Sequence, residues 1–180
     1  MLCGGASRRM GRDKALIEVD GTSMVLRVVA ALRAGGCEPV VAIGGDRAAL
    51  EQLGIVVVDD LFPGEGPLGG VITALAGSPA DLVVVASCDL PHLTGATVGS
   101  LVAAMEGDQS TTTPEVAVAV TDRPHPTCAA WRPGTLPTLR RVFDGGERRL
   151  TAAIAELRAA EIQADAQDLA NVNTPGDLPQ

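Results

Sequence analysis

Four short apolar runs set the frame of this chain: PVVAI (39–43), IVVV (55–58), LVVVA (82–86) and VAVAV (116–120), with segments of helical length between the earlier ones. Continuous runs this short fit strands buried on both faces, and strands that alternate with helices are the signature of βαβ units and a parallel sheet. Hydrophobic residues make up 46% of the chain and aromatics only 2%, so the core must be built from Val, Ala, Leu and Ile. A length of 180 residues fills one domain with a full core and is too short for two ordinary ones. The expected fold is α/β: a single-domain, three-layer α/β/α Rossmann-like architecture with a mostly parallel sheet.

Capping and breaking residues mark the helices. Thr22 or Ser23 precedes a helix over 23–34 that Gly35 and Gly36 stop, and Asp46 precedes a short one over 47–53 that Gly54 ends. Pro67 opens a helix running to about Ala76, and Thr94 caps another that reaches Met105. Further on, TCAAW (127–131) predicts a strand, QSTTTP (109–114) a polar turn and LTAAIAELRAA (150–160) a helix. A strand before the first glycine loop has only Met1, Leu2 and Cys3 to form it, which implies either a very short strand or a natural chain that begins further upstream.

That loop, LCGGASRRMGRDK (2–14), concentrates Gly4, Gly5 and Gly11 with Arg8, Arg9, Arg12 and Lys14. Glycines free backbone N–H groups to face an anion, most often a phosphate. The spacing is neither that of a Walker loop, since Arg12 and Asp13 separate Gly11 from Lys14, nor that of the dinucleotide fingerprint. The whole chain is acidic, 14 positive side chains against 22 negative, which argues against nucleic acid or an anionic membrane as partner and favours a small anionic ligand. Lys14 is the only lysine beside thirteen arginines, and Asn171 and Asn173 are the only asparagines. Cys3, Cys37, Cys88 and Cys128 are scattered without metal spacing and read as reduced, mostly buried thiols. With no apolar signal segment and no run of membrane-spanning length, the expected location is the cytoplasm.

In an open parallel sheet a ligand lies beyond the carboxyl ends of the strands. There the chain places the glycine loop, then Asp59 and Asp60 after IVVV, then Ser87, Cys88 and Asp89 after LVVVA. Two separated acids facing a basic loop suit a metal-bound phosphate ester, because Mg²⁺ takes one or two carboxylates plus phosphate oxygens. The alternative for Asp60 is a turn cap. PGEGPLGG (63–70) packs four glycines and two prolines into eight residues, a shaped loop that lets backbone approach a base or ribose, or a plain turn. His125, between Pro124 and Pro126, fits either an anion contact or a structural role. In NVNTPGDL (171–178), Thr174 and Pro175 suit a helix start, which leaves the two asparagines unexplained.

LCGGASRRMGRDK, PGEGPLGG, CDLP, HPT, GERR and NVNTP occur in the order seen in the molybdenum cofactor guanylyltransferases, the MobA-like nucleotidyltransferases, which the chain resembles over nearly its whole length. The resemblance implies a fold of nucleotide-diphospho-sugar transferase type. It implies transfer of GMP from GTP to the terminal phosphate of molybdopterin, with release of pyrophosphate and Mg²⁺ or Mn²⁺ as cofactor. By motif, Leu2, Cys3, Gly4 and Gly5 line the guanine and ribose side, Lys14 and Arg9 hold phosphates, Asp60 and Gly66 contact the nucleotide, and Asp89 binds the metal. Asn171 and Asn173, with His125, lie on the acceptor side. The nucleotide part then spans about 1–105 and the acceptor part about 106–180. GTP and the pterin are the implied partners, with cofactor-accepting enzymes downstream. Cys3 stands where the family usually has alanine, and Gly44 where relatives can carry an asparagine that touches the nucleotide. The rival readings are a cytidylyltransferase, another nucleotidyltransferase with a phosphorylated acceptor, or a nucleotide-binding module without catalysis.

Lys14→Arg keeps the charge but is expected to lose much of the turnover, because a planar fork does not replace a compact ammonium between phosphate oxygens. Lys14→Ala is expected to lose more. Near-normal turnover of Lys14→Ala at saturating GTP would identify the residue as a solvated surface charge.

Overall fold

The computed structural model describes residues 1–4, 14–106 and 113–172, with Lys14 described by its backbone alone. Its strands are β1 (Glu18–Val19), β2 (Thr22–Ser23), β3 (Val41–Ile43), β4 (Val56–Val58), β5 (Val83–Ala86), β6 (Val116–Val120), β7 (Pro124–Trp131) and β8 (Ala159–Gln163). Its helices are α1 (Met24–Ala34), α2 (Arg47–Gln52), α3 (Pro67–Gly77), α4 (Gly95–Met105), α5 (Leu136–Asp144) and α6 (Leu150–Ile154).

β3 and β4 pair in parallel, and β5, β7, β6 and β8 pair in that order. Leu2 joins the two groups, bridging Ile43 on one side and Ser87 on the other, both in parallel. The sheet therefore runs β4, β3, residues 1–3, β5, β7, β6, β8. Only β7 is antiparallel to its neighbours, so the sheet is mostly parallel, as expected.

Two layers of helices cover the sheet. α1, α2 and α4 pack on one face with Ala42, Val57, Ala86, Ala117, Ala119, Cys128 and Ala130. α3, α5 and α6 pack on the other with Ile43, Val85, Val116, Val118, Ala129 and Trp131. The run VAVAV thus alternates by period two: valines face one layer and alanines the other. Small strand residues on the α1–α4 side leave room for helices that nearly touch, and there a Cβ on Gly35 would stand 2.3 Å from Val98 Cγ1. No helix among the described residues is long and apolar enough to cross a membrane.

Most expected boundaries hold within a residue or two. Asp46 caps α2 by accepting from the Ala49 amide, and Thr94 caps α4 by accepting from the Thr97 amide. The helix expected over 150–160 is corrected. It ends at Ile154, and residues 159–163 form β8, parallel to β6. The helix-favouring alanines lose to the unpaired edge of β6, which gains a full ladder of partners. Two elements had no counterpart in the sequence reading: α5, and the hairpin of β1 and β2. Asp20 and Gly21 turn that hairpin with φ of 48° and 74°, the two positive values that a type I′ turn requires. Cys3, Cys88 and Cys128 are buried and Cys37 is half-buried, and none of the four is in a disulfide.

Gly95 is expected to be irreplaceable on steric grounds. A Cβ there would lie 2.6 Å from Ala34 Cβ and 3.0 Å from the Ala34 carbonyl carbon, whereas a Cβ on Gly99, in the same helix, meets nothing within 4 Å. Gly95→Ala should cost about 1–3 kcal/mol by overpacking, while Gly99→Ala should be neutral or stabilise by up to about 1 kcal/mol. Urea denaturation of the pair checks this, with equal effects of the two substitutions as the contrary result.

Candidate functional site at the carboxyl edge of the sheet

The N-terminal segment is stitched to both neighbours by backbone bonds. On one side the Leu2 amide donates to Ala86 O at 2.8 Å and the Cys88 amide donates to Leu2 O at 3.0 Å. On the other the Ile43 amide donates to Met1 O at 2.8 Å and the Cys3 amide to Ile43 O at 3.0 Å. The segment ends at the sheet's carboxyl edge, so Gly4 emerges between the loop after β3 and the loop after β5.

On the β3 side, Gly44 lies against Gly4. A Cβ on Gly44 would stand 3.4 Å from Gly4 Cα, and its φ of +67° lies in the left-handed region where only glycine is unstrained. Asn is among the few side chains that tolerate that region, which fits the asparagine some relatives are expected to carry there.

Asp60 closes this side. Its Oδ1 accepts from the Phe62 amide and from the Thr73 hydroxyl, each at 3.0 Å. Its Oδ2 faces Gly4, 3.9 Å from where a Cβ on that glycine would be. Asp60 thus ties its turn with one oxygen and presents the other to the glycine segment. Asp59 behaves differently. It is exposed and pairs with Arg47 at 2.6 Å.

The loop between Asp60 and α3 is held by the GERR turn. Arg148 Nε donates to Glu65 Oε2 at 2.5 Å and its Nη1 to Phe143 O at 2.7 Å. Its guanidinium lies 3.9 Å from the centre of the Phe143 ring, which is itself 4.5 Å from that of Phe62. Gly66 sits under this clamp, where a Cβ would be 3.8 Å from Arg148 O. Glu147 organises the turn by accepting from the amides of Arg148 and Arg149 and from the Arg149 guanidinium. Those bonds, chiefly the one from Arg149, hold its carboxyl down at about 2.

On the β5 side, Asp89 is half-buried in the loop after the strand, with Oδ1 shielded from solvent. Its carbonyl accepts from the Val172 amide at 3.1 Å, and Val172 is buried with Val19 and Met24. This bond brings Asn171, which is exposed, to the Asp89 loop. His125 is also at the carboxyl edge, because antiparallel β7 starts there, opposite Ala119 at the end of β6. Its Nε2 is 2.9 Å from Thr121 Oγ1, which donates to Asp122. Partial burial, reinforced by Arg123, lowers its pKa, so at neutral pH the ring is uncharged.

Leu2, Cys3, Gly4, Asp60, Gly66, Asp89, His125 and Asn171 thus all lie on or beside one edge. Gly5, Arg9, Asn173 and the Lys14 side chain lie outside the described residues. Thr73 and Arg148 were not singled out from sequence. The signal for Thr73 was its being the one polar side chain in the otherwise apolar helix PLGGVITALAG; GERR was visible as a motif without a partner.

Thr73 accepts from the Leu61 amide at 3.1 Å as well as meeting Asp60 and Gly69 O. Thr73→Val keeps the shape and strands those groups, so it should destabilise by about 1–3 kcal/mol, with Thr73→Ser recovering most of the loss. Equal stability of the Val and Ser variants in urea melts would remove Thr73 from this role.

The MobA-like NTP transferase domain profile matches residues 1–161. A Mycobacterium ulcerans protein named "Probable molybdenum cofactor guanylyltransferase" is 35% identical, over 99% of this chain and 90% of its own length. One from Shewanella sp. (strain ANA-3), named "Molybdenum cofactor guanylyltransferase", is 32% identical over 97% of this chain and 89% of its own. Among solved structures, molybdopterin-guanine dinucleotide biosynthesis protein A from Archaeoglobus fulgidus shares the fold with a TM-score of 0.72 at 21% identity, covering 98% of this chain and 92% of that one.

Proposed function

The chain belongs to the MobA-like NTP transferase family, and from that premise we propose that it transfers GMP from GTP to the terminal phosphate of molybdopterin, forming the guanine dinucleotide cofactor and pyrophosphate. The observation that carries this reading is the seat of Gly4: its backbone reaches the carboxyl edge with Asp60 Oδ2 on one side and the Asp89 loop on the other.

In this reading Leu2, Cys3, Gly4 and Gly5 line the guanine and ribose, with Asp60 and Gly66 completing the nucleotide side. Lys14 and Arg9 neutralise the triphosphate. Residues up to about 105 form the nucleotide part, and those from about 106 onward the acceptor part, where Asn171, Asn173 and His125 meet the pterin phosphate. An acceptor phosphate oxygen attacks the α-phosphorus of GTP. The bond from that phosphorus to the β-bridging oxygen breaks, and pyrophosphate leaves with the electron pair. The acceptor is already anionic at neutral pH, so no general base is needed, and an uncharged His125 serves as a hydrogen-bond partner. What the transfer requires is alignment and charge neutralisation.

The donor set suits a divalent ion that keeps most of its ligands from substrate and water. Among the described residues no group of three or more His, Cys, Asp or Glu could hold a metal by itself, and the edge offers isolated carboxylates. Asp89 would hold Mg²⁺, or Mn²⁺ in its place, which when bound stabilises the charge that grows on the phosphates. The reaction belongs in the cytoplasm, where GTP and the pterin meet, and its product passes to molybdenum enzymes.

The test is incubation with molybdopterin, Mg²⁺ and each nucleotide in turn, with mass detection of the dinucleotide. GTP is expected to be used far better than CTP, ATP or UTP. Equal or faster turnover with CTP would reassign the base while leaving the transferase class, and nucleotide binding without any product would make the chain a binding module. Asp89→Asn should fold and bind GTP in some measure, and lose on the order of 10² to 10³ in turnover. Unchanged turnover and metal dependence in that variant would make Asp89 a turn cap.

A further inference from the structure

Downstream of β8 the chain crosses back to the site as a strap over 164–172, beyond the residues that the family profile matches. Two side chains pin it by burial, Leu169 in the α1–α4 layer and Val172 against Val19 and Met24. Between them and β8 stands Asp168, whose Oδ2 accepts from Thr94 Oγ1 and from Thr97 Oγ1, each at 2.6 Å. Both hydroxyls belong to the first turn of α4, and Thr94 is also the N-cap that accepts from the Thr97 amide. The carboxylate therefore receives two short charge-assisted bonds at the positive end of a helix, the placement that favours a fixed anion. Four residues after Asp168, the Val172 amide donates to Asp89 O. The strap is thus fastened at one end to the N-terminus of α4 and at the other to the loop that carries Asp89.

We propose that Asp168 is a positioning residue that docks this strap and so sets Asn171 beside the Asp89 loop, making use of the phosphorylated acceptor, and not of the nucleotide, depend on it. The inference rests on the transferase reading given above. The nucleotide-facing contacts, Gly4 with Gly44 and Asp60 and the Arg148 clamp on the glycine-rich loop, lie across the N-terminal segment from the strap and share no hydrogen bond with Asp168. A strap held by one carboxylate beyond the residues that the family profile matches is a place where acceptor choice can differ while the nucleotide machinery stays constant.

The experiment compares wild type with Asp168→Asn and Asp168→Ala by hydrogen exchange at the Val172 amide and by separate KM values for GTP and for molybdopterin. Exchange at Val172 should quicken by about tenfold or more, the scale of one charge-assisted hydrogen bond. The KM for molybdopterin should rise while that for GTP stays unchanged, and Asp168→Asn should be the milder variant because it still accepts from both threonines. Should Asp168→Ala fail to fold, Thr97→Val removes one of the two donors, leaves the Thr94 cap and reads the same quantities. Unchanged exchange, unchanged acceptor KM, or a parallel rise of both KM values overturns the proposal. If wild type makes no dinucleotide from GTP, the transferase reading fails by itself, and the docking role of Asp168 still stands or falls on the Val172 exchange rate.

Discussion

Residues 1–3 hold the sheet together. Four backbone hydrogen bonds on their two edges join the β3–β4 pair to the strands from β5 onward, and their side chains take part in both layers. Met1 and Cys3 face α1 and α2, while Leu2 faces α3. Leu2 sits so close to α3 that a Cβ on Gly70 would lie 2.9 Å from its Cδ2, so the second half of PGEGPLGG is glycine for packing and the first half for shape. Each such hydrogen bond is worth about 0.5–1.5 kcal/mol net, and here none can be lost without opening the sheet at its centre.

The site inherits its geometry from that seam. Gly44 and Asp60 hang from the strands on one side, Ser87 to Asp89 from the strand on the other, and Gly4 leaves the seam between them. A Cβ on Gly44 would sit at ordinary contact distance, 3.4 Å, from Gly4 Cα, so what calls for glycine there is the φ of +67° and not space. Asp60 is held at the correct height by Thr73, one turn and a half into α3, so the helix that covers one face of the sheet also fixes a carboxylate at its edge.

What the sequence made legible follows from the range of the interaction involved. Strands β3 to β6, the caps of α2 and α4, and the edge position of Asp60 and Asp89 depend on local pattern and on the rule that loops at carboxyl ends carry ligands. β8 was hidden because its exposure alternates and its residues favour helix; only the open edge of β6, distant in sequence, makes it a strand. The Asp20–Gly21 hairpin was legible in principle from its dipeptide, but two-residue strands leave little periodicity to find. Arg148, Thr73 and Asp168 were opaque because each acts through a partner that only the fold supplies. Asn171 gains its place from its neighbour Val172, whose amide is anchored on Asp89 O, and Asn173 lies outside the described residues.

The distribution of cations explains how so acidic a chain can serve an anionic substrate. Among the described residues, Arg27, Arg33, Arg47, Arg141, Arg148, Arg149 and Arg158 are each paired with a carboxylate. Arg132 is turned to the carbonyls of Met105 and Pro114. Exposed pairs of this kind add little stability, and their effect on the field is cancellation. The charge of those seven arginines is thereby balanced locally. Besides Arg123 and Arg140, the remaining cations are those of the N-terminal loop, Arg8, Arg9, Arg12 and Lys14, four of the chain's fourteen within seven residues. In the proposed reaction the compact ammonium of Lys14 would give a point charge able to follow a phosphate oxygen, where a guanidinium fork favours the planar carboxylates that already hold its counterparts elsewhere in the chain.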